Sequence, residues 1–456
     1  MLLPAVINGF PLIFPDTGTY LAIALGNDYA GDRSSFYGFF LKLPTSWIPG
    51  TAGLWTAVAL QCLLVAIVVT AVAKRIAPAS GRLALFAAVL LTPVAFHVAQ
   101  LMPDAFTGIA VLLAWLAARR DLSKDGTVLL WVAVSAVALT HYTHLALVAA
   151  AATATLIGEF LLGIPWRRLR WRLAAATASV AAAAFVQIAL NGLVLGQRSV
   201  APMGPMFLYA RLNQDGQIKP WLQKHCGHDA PEAICALAPK LPDNSQRLLW
   251  AADSPLRKAV WNRDASKMGW DVIAAMDIAN KGAIAQAPFR FVRNSAKATI
   301  RQFLSFAPLD DECPATCRTG GGGVEQTLQR FRPGSVPALD ASLQVTDRTP
   351  KAIIRAIMTP VAALALLLLP LAGWQAWRRR DREALTLVMA VLTALVTNAA
   401  LAGALSDVHD RYQSRIVWLA PLALFLLIAR WNIAGALRTA IANRCRAAGR
   451  LKLAQR

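Results

Sequence analysis

Apolar stretches too long for one helix alternate along this chain with short basic clusters, and that alternation limits the possible folds more than any other feature. Residues 83–118 contain one acid, Asp104, and are otherwise apolar or weakly polar. As a single helix this stretch would be ~54 Å long, against a bilayer core of ~30 Å. It therefore reads as a hairpin with Pro103–Asp104 at its tip. Residues 127–163 repeat the pattern with His141-Tyr142-Thr143-His144 at the turn, and residues 384–430 repeat it around 406–415. The composition agrees: 56% of residues are hydrophobic and 16% charged, where soluble domains are about 25% charged. A soluble enzyme, a disordered chain and a secreted disulfide scaffold are excluded.

The basic clusters set an expected orientation. Lys74, Arg75 and Arg82 form the first, and Arg119, Arg120 and Lys124 the second. Arg167 to Arg172, Arg378 to Arg382 and the C-terminal tail follow. Each closes an apolar stretch, so all read as cytoplasmic. The net charge of +21 thus reflects topology and anionic lipid rather than nucleic acid. The expected fold class is an all-α multi-pass membrane protein of ten spans, near 1–14, 53–73, 83–102, 105–118, 127–140, 145–163, 173–195, 353–377, 384–405 and 416–430. The first span is short for a full crossing, which implies either a thin, tilted helix or a start upstream. It lacks the basic n-region and small-residue cleavage site of a signal peptide.

This reading divides the chain into a membrane module over 1–195, an outward, mostly helical domain over 196–352, a second membrane module over 353–430 and a basic tail over 431–456. The expected location is a bacterial inner membrane with the active side facing the periplasm or exterior. Cys226, Cys235, Cys313 and Cys317 all fall in the outward domain, as an oxidising compartment permits. Of the three pairings, Cys226–Cys235 with Cys313–Cys317 is the expected one. A zinc site from His225, Cys226, His228 and Cys235 is the alternative. Gly320–Gly323 reads as a flexible joint.

The candidate chemistry lies at the hairpin tips. Asp16 follows the first span, Asp104 tips the second hairpin, His141 and His144 the third, and His409, Asp410, Arg411 and Tyr412 the last. The charge map places all of them at one outward surface. Any one of them alone would be ordinary interfacial snorkelling. Together they supply two carboxylates for base work or metal ligation and a guanidinium suited to bidentate phosphate binding. The first outer loop adds Arg33. It also contains a short helix over 17–25 with Tyr20 and Leu21 expected toward lipid, and an aromatic interfacial segment over 34–43 that includes Tyr37. In the outward domain Arg290, Arg293, Lys297 and Arg301 are spaced 3, 4 and 4. They stack on one helix face beside an apolar one, as a helix lying on anionic lipid would arrange them. A solvated basic face is the plainer alternative. No GxGxxG, P-loop or HExxH motif is present.

The early FPDTGTYL with Asp16, the first loop with Arg33 and Tyr37, LMPDAFTG with Asp104 and DRYQSR with Arg411 and Tyr412 occur in an order that resembles the GT-C superfamily. These are integral-membrane glycosyltransferases that use polyprenyl-phosphate sugars, such as aminoarabinose transferases and protein O-mannosyltransferases. The sequence departs from that pattern in three places. Asp16 is followed by Thr17 rather than a second acid, Arg33 by Ser34 rather than Pro, and the large outer region falls between spans 7 and 8. The resemblance implies a GT-C-like fold and inverting transfer from a polyprenyl-phosphate sugar to a glycan, lipid or protein acceptor. Asp16 would be the base, and Asp104 would orient the acceptor or help hold a divalent cation (Mg or Mn). Arg33 and Arg411 would hold the lipid phosphate. Tyr20, Tyr37, His141, His144, His409 and Tyr412 would line the substrate site. Two other classes fit the same chain: an O-antigen ligase or polymerase, and a transporter or flippase. For transport the mid-span polar residues are Gln61, Gln187 and Asn398.

Overall fold

The computed structural model describes residues 1–119, 124–261, 269–309 and 323–432, the side chains of 124 and 125 excepted. Among these the chain is all-helical, with one isolated parallel bridge, between Leu12 and Gln100. Six helices are long and apolar enough to cross a membrane: Gly50–Ile76, Tyr142–Leu161, Trp166–Leu195, Lys351–Arg378, Arg382–Leu405 and the run Asp410–Arg430. Their outer faces carry exposed leucines and aromatics such as Leu63, Phe160, Phe185, Leu193 and Leu367. Those side chains have no aqueous partner to gain and suit a hydrocarbon surround.

In chain order the membrane-side elements are α1 (Leu3–Asn8), α2 (Thr17–Gly26), α3 (Ser35–Trp47), α4 (Gly50–Ile76), α5 (Gly81–Leu91), α6 (Val94–Val98), α7 (Thr107–Arg119), α8 (Lys124–Leu139), α9 (Tyr142–Leu161) and α10 (Trp166–Leu195). The region 196–352 continues with α11 (Gly204–Gln214), α12 (Ile218–His225), α13 (Glu232–Cys235), α14 (Ser245–Trp250), α15 (Pro255–Trp261), α16 (Trp270–Gln286), α17 (Pro288–Leu304), α18 (Val324–Phe331) and α19 (Val336–Asp340). The chain returns through α20 (Lys351–Arg378), α21 (Arg382–Leu405), α22 (Asp410–Val417) and α23 (Leu419–Arg430).

Three sequence expectations change here. Residues 1–14 do not form one helix: α1 has 6 residues, a rise of ~9 Å. The chain then runs extended, and Leu12 exchanges backbone hydrogen bonds with Ala99 and Leu101. The stretch 83–102 is broken between α5 and α6 at Thr92-Pro93. Proline there removes a backbone donor and disfavours helix at the residue before it. The helix α2 forms, but Tyr20 and Leu21 are fully buried rather than turned to lipid. Their neighbour across the contact is α3, where Tyr37 meets Tyr20 edge-to-face at 5.0 Å.

This intervening region is not uniform. Residues of α11 to α16, among them Tyr209, Trp221, Leu248 and Met276, bury a core of their own. From Phe306 onward Val324, Leu328, Leu339 and Val345 instead join the core of the membrane bundle. Gln344 ties this return to the first loop, donating to Ile13 O at 2.7 Å and accepting from Ile13 N at 3.0 Å. Cys226 and Cys235 form a disulfide, the local pairing expected, which removes both from the zinc alternative. Cys313, Cys317, Gly320–Gly322 and the basic tail from 433 lie outside the described residues.

Glycine permits two close helix crossings. A Cβ on Gly403 of α21 would come 2.6 Å from the Ala298 carbonyl of α17. On Gly108 of α7 a Cβ would overlap the Trp418 ring. Small residues at such crossings let helices approach where lipid supplies no hydrophobic drive for association.

Candidate active site: a buried carboxylate–guanidinium cluster

Asp16 stands at the N-cap position of α2. Thr17 fixes that turn: its hydroxyl accepts from Phe14 N at 2.9 Å and donates to Leu101 O at 3.1 Å. The second bond pins the first loop to the segment that leads into Pro103–Phe106, a 3₁₀ turn with Asp104 in its first turn. Arg33 is held by its backbone, whose carbonyl accepts from the Tyr142 hydroxyl at 2.8 Å. Ser34, where the resembled pattern has proline, caps α3 and bonds Leu139 O and Gln187. Arg411 and Arg415 sit four residues apart on α22, so both face the same way.

These four segments meet. Arg33 Nη2 lies 2.6 Å from Asp16 Oδ1, and Arg411 Nη1 3.4 Å from Asp16 Oδ2. Asp104 is fully enclosed. It accepts from Arg411 Nε and Nη2 at 3.0 and 2.7 Å through Oδ2, and from Arg415 Nη1 at 2.8 Å through Oδ1. Arg411 thus bridges both carboxylates, with its guanidinium 3.3 Å from the centre of the Phe14 ring. Arg415 also donates to Asn398 Oδ1 at 3.2 Å and lies 3.5 Å from His141 Nε2. Asp32, which sequence reasoning missed, adds a third carboxylate 3.4 Å from Arg33.

The carboxylates differ in environment. Burial pushes Asp16 up, but Arg33 and Arg411 outweigh it and hold its carboxyl below the usual range. For Asp104 burial again opposes ionisation, while Arg411 and Arg415 hold it well below that range. Asp32 goes the other way: burial raises it despite Arg33. The side chain of Asp16 keeps 22% of its exposure, whereas that of Asp104 has none. Asp16 is therefore the carboxylate a reactant can reach.

The other predicted site residues divide. His141 caps α9 by accepting from Thr143 N and stands beside Arg415. His144 is buried between Thr107 at 2.9 Å and Thr140 at 3.1 Å, a helix-to-helix staple. Tyr20 and Tyr37 are buried behind the cluster, the Tyr37 hydroxyl bonded to Gln61 at 2.9 Å. His409 meets Tyr412 edge-to-face at 5.5 Å at the start of α22. Arg290, Arg293, Lys297 and Arg301 lie on α17, away from the carboxylates and lining a separate cleft. Sequence reasoning also missed His97, whose Nε2 lies 2.9 Å from Ser414 Oγ. Arg415 was legible as the residue one turn beyond Arg411. Asp32 and His97 carried no spacing signal.

The mid-span polar residues are bonded structural partners. Gln61 donates to Val98 O and Gln100 O, Gln187 to Asn191, and Asn398 to Tyr412 O. The cavity against Arg411, lined also by Phe14, His97 and Ser414, measures about 20 Å³. That is room for about one water. Among the described residues no three His, Cys, Asp or Glu side chains converge as a metal site. Asp16 and Asp104 turn their oxygens to guanidiniums, a donor set that does not fit the divalent cation implied by the resemblance. Comparisons with protein-family profiles, with curated proteins and with solved structures find no match to this chain.

Proposed function

We propose that this chain is a membrane glycosyltransferase that moves a sugar from a polyprenyl phosphate to an acceptor at the outward face of a bacterial inner membrane. The ten-span, GT-C-like topology belongs to the same proposal. The observation that carries it is Arg411 bridging Asp16 and Asp104 while Arg33 holds Asp16 from the other side. Two carboxylates and two phosphate-compatible guanidiniums from distant segments share one small site at the ends of apolar helices.

The chemistry follows from competition for the guanidiniums. A lipid phosphate entering the site draws Arg33 and Arg411 into bidentate bonds. Asp16 then loses the cations that depress its basicity. Freed, it accepts the proton of an acceptor hydroxyl or amine. The acceptor atom attacks the anomeric carbon opposite the phosphate, the carbon–oxygen bond to phosphate breaks, and the anomeric centre inverts. The bonding pair leaves on the phosphate oxygen, where Arg33 and Arg411 meet the growing charge. Asp104, saturated by Arg411 and Arg415, positions those guanidiniums. The narrow cavity means that Phe14 and the start of α22 move apart when a sugar enters. The break at Thr92-Pro93 is a feature a transporter would share. The bonded state of Gln61, Gln187 and Asn398 favours the enzyme reading.

The test is comparative mass spectrometry of envelope lipids and glycans. Deleting the gene should remove one sugar substitution, and expressing the wild type but not Asp16→Asn should restore it. Identical profiles in all three strains would sink the proposal. Sidedness is tested separately. Cysteines introduced at the accessible positions 143 and 410 should react with impermeant maleimide from the periplasmic side, and those at 168 and 380 should not.

A further inference from the structure

The helix α17 lines a cleft of about 490 Å³ together with α11 and the 407–408 loop. Arg290, Arg293, Lys297 and Arg301 form one wall, and Arg211 stands opposite. Two carboxylates face the same space, and both are engaged. Asp215 pairs with Arg211 at 3.0 Å, and Asp407 accepts from Ser245 at 2.5 Å and Gln246 at 3.1 Å. The four cations of α17 form no ion pair with a described residue. The adjoining face of α17 presents Phe289, Val292, Ile300 and Leu304 to the outside, 62–89% exposed. The helix is not free to swing. Ala298 packs against Gly403, and Gln302 donates to His409 O at 2.8 Å and accepts from His409 N at 2.9 Å.

We infer that this cleft binds the phosphate headgroup of an anionic bilayer lipid whose acyl chains lie along the Phe289–Leu304 face. A freely solvated basic stripe accounts for the charges but not for the large apolar side chains beside them. A soluble anion needs no such face either. Cations without an ion-pair partner among the described residues, beside exposed apolar surface, are what a headgroup joined to hydrocarbon satisfies. The site is separate from the Asp104 cluster, and the inference does not rest on glycosyl transfer.

The experiment uses the full chain purified in dodecyl maltoside. It is titrated with dioctanoyl phosphatidylglycerol, and bound lipid is counted by native mass spectrometry. Dioctanoyl phosphatidylcholine and inorganic phosphate are the comparison probes. The triple variant Arg293→Gln/Lys297→Gln/Arg301→Gln should lose at least about tenfold in phosphatidylglycerol affinity, because each basic side chain near a lipid surface contributes about fivefold. Lys219→Gln, in the outward region but outside the cleft, should change nothing. Affinity retained within about twofold by the triple variant, or phosphatidylcholine bound as tightly as phosphatidylglycerol, would overturn the inference. Displacement of the lipid by equimolar inorganic phosphate would replace it with a soluble-anion site. Should the triple variant not yield a monodisperse peak, the exposed single changes Arg293→Gln and Lys297→Gln carry the same test, each with about a fivefold loss.

Discussion

The bundle carries a buried ionic network at each end of the same helices, and the two are built for different work. At one end Asp16 and Asp104 meet Arg33, Arg411 and Arg415. At the other, Glu159 is fully buried and accepts from Arg119 at 3.0 Å, Arg172 at 2.6 Å and Arg382 at 3.1 Å. Glu383 takes Arg119 at 2.5 Å and Arg75 at 2.9 Å. The second network joins α4, α7, α9, α10 and α21 through helix residues and reads as a clasp. The first sets Arg411 and Arg415 of α22 against carboxylates and an arginine carried by a helix cap, a loop and a 3₁₀ turn, which can shift without unwinding a helix. It also retains one partly exposed carboxylate, Asp16. Buried ion pairs are weak contributors to stability when intact and expensive when broken. The same interaction therefore locks one end, while at the other, under the proposed mechanism, the guanidiniums would exchange carboxylate for an incoming phosphate.

The largest effect separating the two ends should be catalytic. Asp16→Asn should reduce transfer about 10²–10⁴-fold, measured on purified protein with its lipid donor, with a fall in melting temperature smaller than that of the buried clasp variant Glu159→Gln. Activity within about threefold of wild type would remove Asp16 from the base role.

Glu159→Gln should do the reverse. It strands Arg119, Arg172 and Arg382, and losing one partner of a buried network costs about 3–5 kcal/mol. Detergent melting should show a large drop, with turnover per folded molecule unchanged. A loss of turnover greater than the loss of folded protein would give the clasp a functional role.

A smaller effect tests Arg411. Lys supplies one point charge where Arg supplies a fork, and it cannot span Asp16 and Asp104 together. Arg411→Lys should weaken donor binding or turnover at least tenfold, about 1.4 kcal/mol. Unchanged donor affinity and turnover would make Arg411 a structural pin like Arg119.

The smallest effect is a pH dependence confined to one end. Burial and the neighbouring Arg415 keep the His141 imidazole well below its ordinary value, so it stays neutral in the fold. The unfolded chain gains a proton below about pH 6.5 while the native state does not. Stability is therefore full above that pH and is lost as the pH falls below it, by at most about 1.4 kcal/mol per pH unit. Asp16 and Asp104 act lower. Their depressed values keep their contribution down to about pH 4, below which it fades. His141→Gln should make the pH dependence of unfolding shallower between pH 6.5 and 5 without changing the acid limb below pH 4. An unaltered slope in the variant would assign the first window elsewhere.

Much of this was legible in the residues. Apolar length against bilayer thickness shows that 83–118, 127–163 and 384–430 cannot each be one straight helix, and the chain is interrupted near Asp104, His141 and Arg411. The spacing of Arg411 and Arg415 places both on one face of α22. The stripe on α17 is readable for the same reason, because helical periodicity is local. Partner choice is not local. Nothing in the order of residues says that Arg411 bridges Asp16 and Asp104, that Asp32 joins Arg33, or that Glu159 gathers three arginines.

Burial is equally nonlocal. Tyr20 and Leu21 have the composition of a lipid-facing pair, yet α3 packs over them and Gln61 takes the Tyr37 hydroxyl. The amino-acid sequence by itself determined a helical chain with several membrane-length spans and polar hairpin tips, since hydrocarbon forces each spanning segment to satisfy its own backbone. Which tips touch, which carboxylate keeps an open side and which helix end becomes a clasp were decided only by the tertiary packing. Those outcomes depend on contacts between segments as much as 395 residues apart, where no local periodicity reaches.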